Sequence, residues 1–507
     1  MASLRRCVAA LAVLLCSLSG AALADSLTCK TLSNTSDITL DHPFELSYTH
    51  DNGLYWSTGC SALKPACIIK PSTADEVSHI VKVLNQNNEL FAIKSGGHNP
   101  NQHFNAIKGG PLIDTKLLDE VTLDAQAKTV RVGPGNRWED VHKVLDGSGY
   151  TVVGGRIGNV GVGGYMLGGG LSFLSAQYGW AANNVVEFEV VLANGTITTA
   201  SCTTNPDLFK ALKGGGANFG IVTAYTLRAH QIGQVWGGNL VFAADKTDDL
   251  LAAVRNFTAN YPDEKAGVIV TSEITAASLV HIWILFLFYD GPTPPEGTFN
   301  LFTDLKPLSN NCKTRSYYDL LGFNDWSILH GSVYTIATEM TPVPAADDMA
   351  LMHEYHDHWI NTTHTVLDVP GLVASMAFQP FPASMAKRAQ EIDAAEGGTG
   401  DLIGFDDAAD RIIFEFDYSY VSMAPATLNQ RVDDATVALY SGIRDRVTAA
   451  VDKGRVPDVY LPIFMNDGYF RQDYWGRLGQ TEWARAVRDR YDPHTFWTER
   501  TPGGFKL

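Results

Sequence analysis

The chain has 507 residues, well beyond one ordinary domain, so two or more substructures are expected. With 45% hydrophobic and 18% charged residues it has a folding composition, which excludes a disordered or fibrous chain. A formal charge of −17 without a basic run argues against nucleic acid or an anionic membrane surface as a partner.

Arg5 and Arg6 precede an apolar stretch, Cys7 to Leu23, closed by the small-x-small triplet Ala22-Leu23-Ala24. This is the pattern of a secretory signal peptide, expected to occupy residues 1–24 and to be cleaved. The mature chain is then expected in the secretory pathway, outside the cell or in the vacuole, with no membrane association. Cys29, Cys60, Cys67, Cys202 and Cys312 remain, an odd number that leaves a free thiol. The first three lie close in sequence, and at least one bridge is expected among them. Asn34, Asn194, Asn256 and Asn361 head N-glycosylation sequons.

Residues 25–61 show little periodicity and read as an N-terminal arm. Thr73 and Glu76 form a capping box, and Val77, Ile80, Val81 and Leu84 give the following helix an apolar stripe. A short buried strand from Leu90 runs into Lys94-Ser-Gly-Gly-His98. Thr129 to Gly133 is a strand; Asn136 caps the next helix, with Val141, Val144 and Leu145 inward. Asn194-Gly195 between two strand-like runs predicts a hairpin with a type I′ turn. Asn205-Pro206 starts a helix ending at Leu212, and Ile221 to Leu227 is a strand. Residues 62–232 therefore predict an α+β domain rich in glycine turns. From Trp236 the texture changes to long strands (Gly267 to Thr275, Leu279 to Tyr289, Arg411 to Tyr420) and helices (Ala346 to Ile360, Ser384 to Glu396, Leu428 to Ala450). Residues 236–455 read as a second α+β domain with one sheet, and 456–507 as a C-terminal segment.

Three glycine clusters carry the chemistry. Lys94-Ser95-Gly96-Gly97-His98-Asn99 ends a strand in exposed backbone N–H groups, which bind a large anion without many basic side chains. Gly154 to Gly170 contains Val160-Gly161-Val162-Gly163-Gly164 and Gly168-Gly169-Gly170, a density that suggests backbone packed on a flat ligand or on other backbone. Gly214-Gly-Gly leads to Phe219-Gly220-Ile221-Val222. A dinucleotide fingerprint and a P-loop are both missing. His353-Glu-Tyr-His-Asp-His358 lacks metal-ligand spacing and reads as a solvated polar face, so no metal centre is expected.

Taken in order with Gln177-Tyr-Gly179, Asn184-Val185, Phe464-Met-Asn466-Asp467 and Tyr491-Asp-Pro-His-Thr-Phe496, these segments resemble the berberine-bridge-enzyme-like, FAD-linked oxidases, whose FAD domain is of the p-cresol-methylhydroxylase type. The ending is similar to that of secreted fungal members. The resemblance implies FAD bonded covalently to His98 and held by the glycine loops, with Lys94, Gly220, Ile221, Val222 and Asn466 also near the cofactor. Members with a second linkage carry a cysteine where this chain has Ile157, so a single linkage is expected. Tyr165 stands where many members have histidine.

The function implied is oxidation of a small organic substrate, with Ile157 leaning against the sugar class, hydride passing to FAD and dioxygen reoxidising it to give hydrogen peroxide. A specialised metabolite is the leading substrate class. A carbohydrate oxidase and a non-catalytic flavin-binding glycoprotein are the rivals. Tyr165, Asp467 and Tyr469 are the candidate bases.

Overall fold

The computed structural model describes residues 26–275, 279–327, 330–395, 397–422 and 429–507. The signal segment, residues 1–24, lies outside them, as do Glu396 and Leu428 at the ends of two predicted helices. The fold is α+β, and among the described residues its main strands form three sheets.

The first sheet has the order Thr39–Asp41, Cys67–Lys70, Pro111–Asp114, Ala92–Lys94. The last three strands are parallel to one another, and the first is an antiparallel edge. The arm is thus more ordered than its sequence pattern implies. It contains helices Leu27–Thr35 and Leu46–Asp51 as well as that edge strand, and the Cys29–Cys67 disulfide ties it to the sheet. Cys60, Cys202 and Cys312 are free thiols. Helix Ala74–Asn87 buries Val77, Ile80, Val81 and Leu84 as predicted. Thr73 accepts from the Glu76 N–H at 3.2 Å, while the Glu76 carboxylate caps Ser72 N–H rather than closing the box on Thr73.

The second sheet is antiparallel, in the order Val121–Asp124, Thr129–Val132, Ile221–Arg228, Val185–Val191, Ile197–Ser201. The hairpin at Asn194-Gly195 forms, but only Gly195 has positive φ (79°). Gly195 N–H donates to the Leu192 carbonyl and Leu192 N–H to the Thr196 carbonyl, so a single left-handed glycine closes the loop, not a type I′ pair. Two further details differ. Helix Trp138–Leu145 has Arg137 at its N-cap, because the Asn136 amide is spent on the carbonyls of Glu120 and Gly133. Val144 is 56% exposed, whereas Val141 and Leu145 are buried.

The third sheet is the largest and antiparallel along its main path: Ser309–Asn310, Val235–Ala243, Val280–Tyr289, Ala266–Thr275, Val373–Phe381, Arg411–Tyr420, Val333–Pro342. Helices Thr247–Ala259, Met349–His364 and Gln430–Asp452 pack together with it around one large apolar core. The His353–His358 stretch is therefore not a solvated face. His356 is buried with its ring 3.2 Å from Ser272 Oγ, His358 faces the carbonyls of Ala438 and Leu439, and His353 points toward Asp248. The opposite face of the sheet is left for the site described next.

Candidate active site

A cavity of about 530 Å³ lies between the glycine loops and the large sheet. That is within the range of cofactor and substrate sites. One wall is backbone. Gly96 and Gly161 meet so closely that a Cβ on Gly96 would stand 2.5 Å from the Gly161 Cα. Gly97 turns with φ +68°, and a side chain there would strike the Leu54 carbonyl. Ser95 Oγ receives the Gly163 N–H at 3.1 Å and donates to the Pro134 carbonyl, locking the first two clusters together.

The cavity brings together Ser95, Gly96, Gly97, His98, Asn99, Val160, Gly161, Gly163, Gly164, Gly220, Ile221, Val222 and Asn466, together with Tyr165, Asp467 and Ile157. Other predicted residues stand behind it. Lys94 is buried in an ion pair with Asp114 at 2.8 Å, so it braces the strand rather than facing the cavity. Val162 is fully buried in the core beneath the loop. Gly168 and Gly170 sit against Asn466, whose side chain accepts from Gly170 N–H and donates to the Tyr165 carbonyl; Gly169 abuts Ile403. Tyr469 does not reach the cavity: its hydroxyl is buried and donates to Asp433 at 2.6 Å.

His98 is enclosed. Burial, with Arg137 and His330 nearby, pushes its ring down to about 3, so it is a neutral imidazole at physiological pH. Its Nε2 is a buried atom with no hydrogen-bond partner. The adjoining Asn99 carbonyl accepts from Asn105, and Asn101 links the loop to Gly468 and Phe470 of the C-terminal segment.

The other wall is side chains from one face of the large sheet. Ile269, Thr271 and Glu273, Ile284 and Phe286, Ser375 and Ala377, and Glu415 and Asp417 project from alternate positions of four strands. Glu415 and Asp417 are hydrogen-bonded neighbours, each pushed up to about 8. Burial is the main cause. The Asp417 charge adds to it for Glu415, against the pull of Arg156, and the Asp467 charge adds to it for Asp417. Asp467 is held well above the usual carboxylate range, by burial and the Glu415 charge. The Gln379 amide joins this group: it donates to Asp467 at 3.1 Å and approaches Glu415 at 3.4 Å, while its oxygen accepts from Arg156. Tyr165 donates its hydroxyl to the Leu171 carbonyl at 2.7 Å, and burial raises it well above its ordinary value.

Glu415, Asp417, Gln379 and Arg156 were not singled out in the sequence. Two carboxylates spaced by two in an otherwise apolar strand were the available signal, since that spacing puts both on one face.

Comparison with known proteins agrees with this geometry. Residues 65–201 match the model of an FAD binding domain. An uncharacterized FAD-linked oxidoreductase of Arthroderma benhamiae is 41% identical over 475 residues, covering 93% of either chain. This chain belongs to the FAD-linked oxidoreductases. The enzyme's fold is also that of a xylooligosaccharide oxidase from Myceliophthora thermophila C1 in complex with xylobiose (TM-score 0.73, 20% identity, 95% of this chain and 100% of the other). A berberine bridge enzyme variant in complex with (S)-reticuline gives a TM-score of 0.71 at 18% identity, over 95% and 99% of the two chains. The non-catalytic reading is thereby set aside. FAD suits the residues present: a cradle in which Gly96, Gly97 and Gly161 leave no room for a Cβ, and a buried imidazole nitrogen without a partner.

Proposed function

We propose that the enzyme is an oxidase that removes a hydride from a small organic substrate, with FAD attached through His98 alone. The observation that carries this reading is that a glycine-built wall ending in a neutral, unpartnered histidine faces a carboxylate-lined sheet across one cavity. FAD would supply the electron-pair acceptor and its return to the oxidised form by dioxygen, with hydrogen peroxide as product. Ser95, the loop glycines and His98 would hold it; the sheet face would hold the substrate.

Of the predicted bases, Asp467 keeps its place, joined by Glu415 and Asp417. Tyr165 is a poor base because its proton is committed to a carbonyl and bound more tightly than in water. Tyr469 lies outside the cavity. The base is then the carboxylate group as a unit: Gln379 fixes its spacing, and burial, with mutual repulsion added to it, raises Glu415 and Asp417 to about 8. A specialised metabolite is the substrate class we favour. Ile157 supports single attachment, since it lines the cavity where doubly linked relatives of the resembled family carry cysteine. The Cys29–Cys67 disulfide supports passage through the secretory pathway. No described helix is long and apolar enough to cross a membrane.

The test is a panel of alcohols and aromatic metabolites, with xylobiose as the sugar comparison, mixed anaerobically with purified enzyme. Bleaching of the flavin by a metabolite, reversed by air with peroxide release, is expected. Bleaching by the sugar alone would favour the carbohydrate reading. A flavin that substrate reduces but air leaves reduced would contradict the oxidase.

A further inference from the structure

Trp56 precedes the segment that matches the FAD domain and carries none of the glycine motifs, yet its indole is the ring nearest to His98 in the structure's aromatic contacts. The two rings stack with centroids 4.5 Å apart and planes 19° apart. On the other side of the contact network, Trp56 meets Tyr334 at 4.1 Å. The Trp56 N–H donates to the Gly97 carbonyl at 3.1 Å, so backbone and side chain of one residue both grip the histidine loop. Next to it, Ser57 Oγ accepts from Tyr334 N–H and Thr58 N–H donates to the Ser332 carbonyl, which anchors the segment to the edge strand of the large sheet.

A reactive histidine is ordinarily held in one orientation by a hydrogen bond at its second nitrogen. His98 Nε2 has no such bond. What remains to fix the imidazole plane is the face-to-face contact with Trp56. We propose that Trp56 is a positioning residue for cofactor attachment: it holds the His98 ring in the plane from which one nitrogen bonds to FAD. This rests on the proposed linkage through His98. Forming that bond removes the imidazole proton and one hydrogen from the flavin methyl carbon, and the two electrons released pass through the flavin to dioxygen. Trp56 takes no part in the electron balance. Its contribution is orientation, and a stacked aromatic pair of this kind is worth up to about a tenfold effect.

The experiment measures total and acid-stable FAD in purified holoenzyme, by absorbance and by in-gel flavin fluorescence, for wild type, Trp56→Phe, Trp56→Leu and Trp56→Ala. Thermal midpoints are recorded alongside. The expected result is that Phe keeps the wild-type covalent fraction, while Leu and Ala still bind FAD but release most of it into acid. Attachment after FAD is added to flavin-depleted protein should slow by about tenfold in the Leu variant. Should Ala fail to fold, Leu, which retains apolar bulk, decides the same question. Equal covalent fractions in Phe and Leu variants, or losses that merely follow the thermal midpoint, would overturn the role. Wild-type enzyme whose FAD is entirely acid-released would instead overturn the His98 linkage, and this role with it.

Discussion

The two walls of the active site are made from different materials. The flavin-side wall is backbone: glycines pressed together so tightly that Gly96 and Gly161 leave no room for a methyl group. The sheet-side wall is side chain: Glu415, Asp417 and Asp467 crowded together, each with its proton affinity raised. A backbone wall fixes shape and accepts one ligand; a side-chain wall fixes charge and is open to change by substitution. The difference implies that cofactor binding and proton transfer fail separately when mutated.

The largest expected effect breaks the first wall. Gly161→Ala places a Cβ against Gly96 backbone that has nowhere to move. Overpacking of this kind costs about 1–3 kcal/mol or more. We expect loss of bound FAD and a lowered thermal midpoint, measured as flavin per protein and by thermal melting. Glu415→Gln and Asp417→Asn act on the second wall. They should retain full flavin while slowing its anaerobic reduction by about 10²- to 10⁴-fold, the range for loss of a general base. With a substrate that bleaches wild-type flavin, the reduction rate should also rise with pH through about 8, because below that value Glu415 and Asp417 hold their protons. A rate independent of pH from 6 to 9 would remove the carboxylates from the mechanism.

A smaller effect separates function from stability. A carboxyl whose proton affinity is raised by folding stabilises the fold below its unfolded value and loses that contribution as pH climbs to the folded value. Wild-type stability should therefore decline between about pH 4 and 8 relative to Glu415→Gln, making the variant more stable by a few degrees at pH 8 and not at pH 4. The smallest effect sharpens the boundary of the site. Tyr469→Phe should leave flavin reduction unchanged and cost about 1–3 kcal/mol of stability through the lost bond to Asp433.

The same contrast explains what the sequence discloses. Gly96, Gly97, Gly161, Gly169 and Gly170 each answer a local demand, positive φ or close approach, so the clusters and His98 are visible as a string. Helix Ala74–Asn87 and strand Arg411–Tyr420 are visible for the same reason, through apolar stripe and β-rich composition. The carboxylate wall is assembled from distant strands: Arg156 and Gln379 meet across 223 positions, which no local pattern announces. Where local signals erred, a competing partner decided. Asn136 lost its capping role to the carbonyls of Glu120 and Gly133, and Tyr469 is turned from the cavity by Asp433. His356 is drawn into the core by Ser272 and by Trp283, on which it stacks.

The most direct test of the account is acid precipitation of wild-type enzyme beside His98→Ala. A yellow wild-type pellet and a colourless His98→Ala pellet, with flavin recovered in the supernatant, is the predicted result. Yellow pellets from both would contradict attachment through His98 alone.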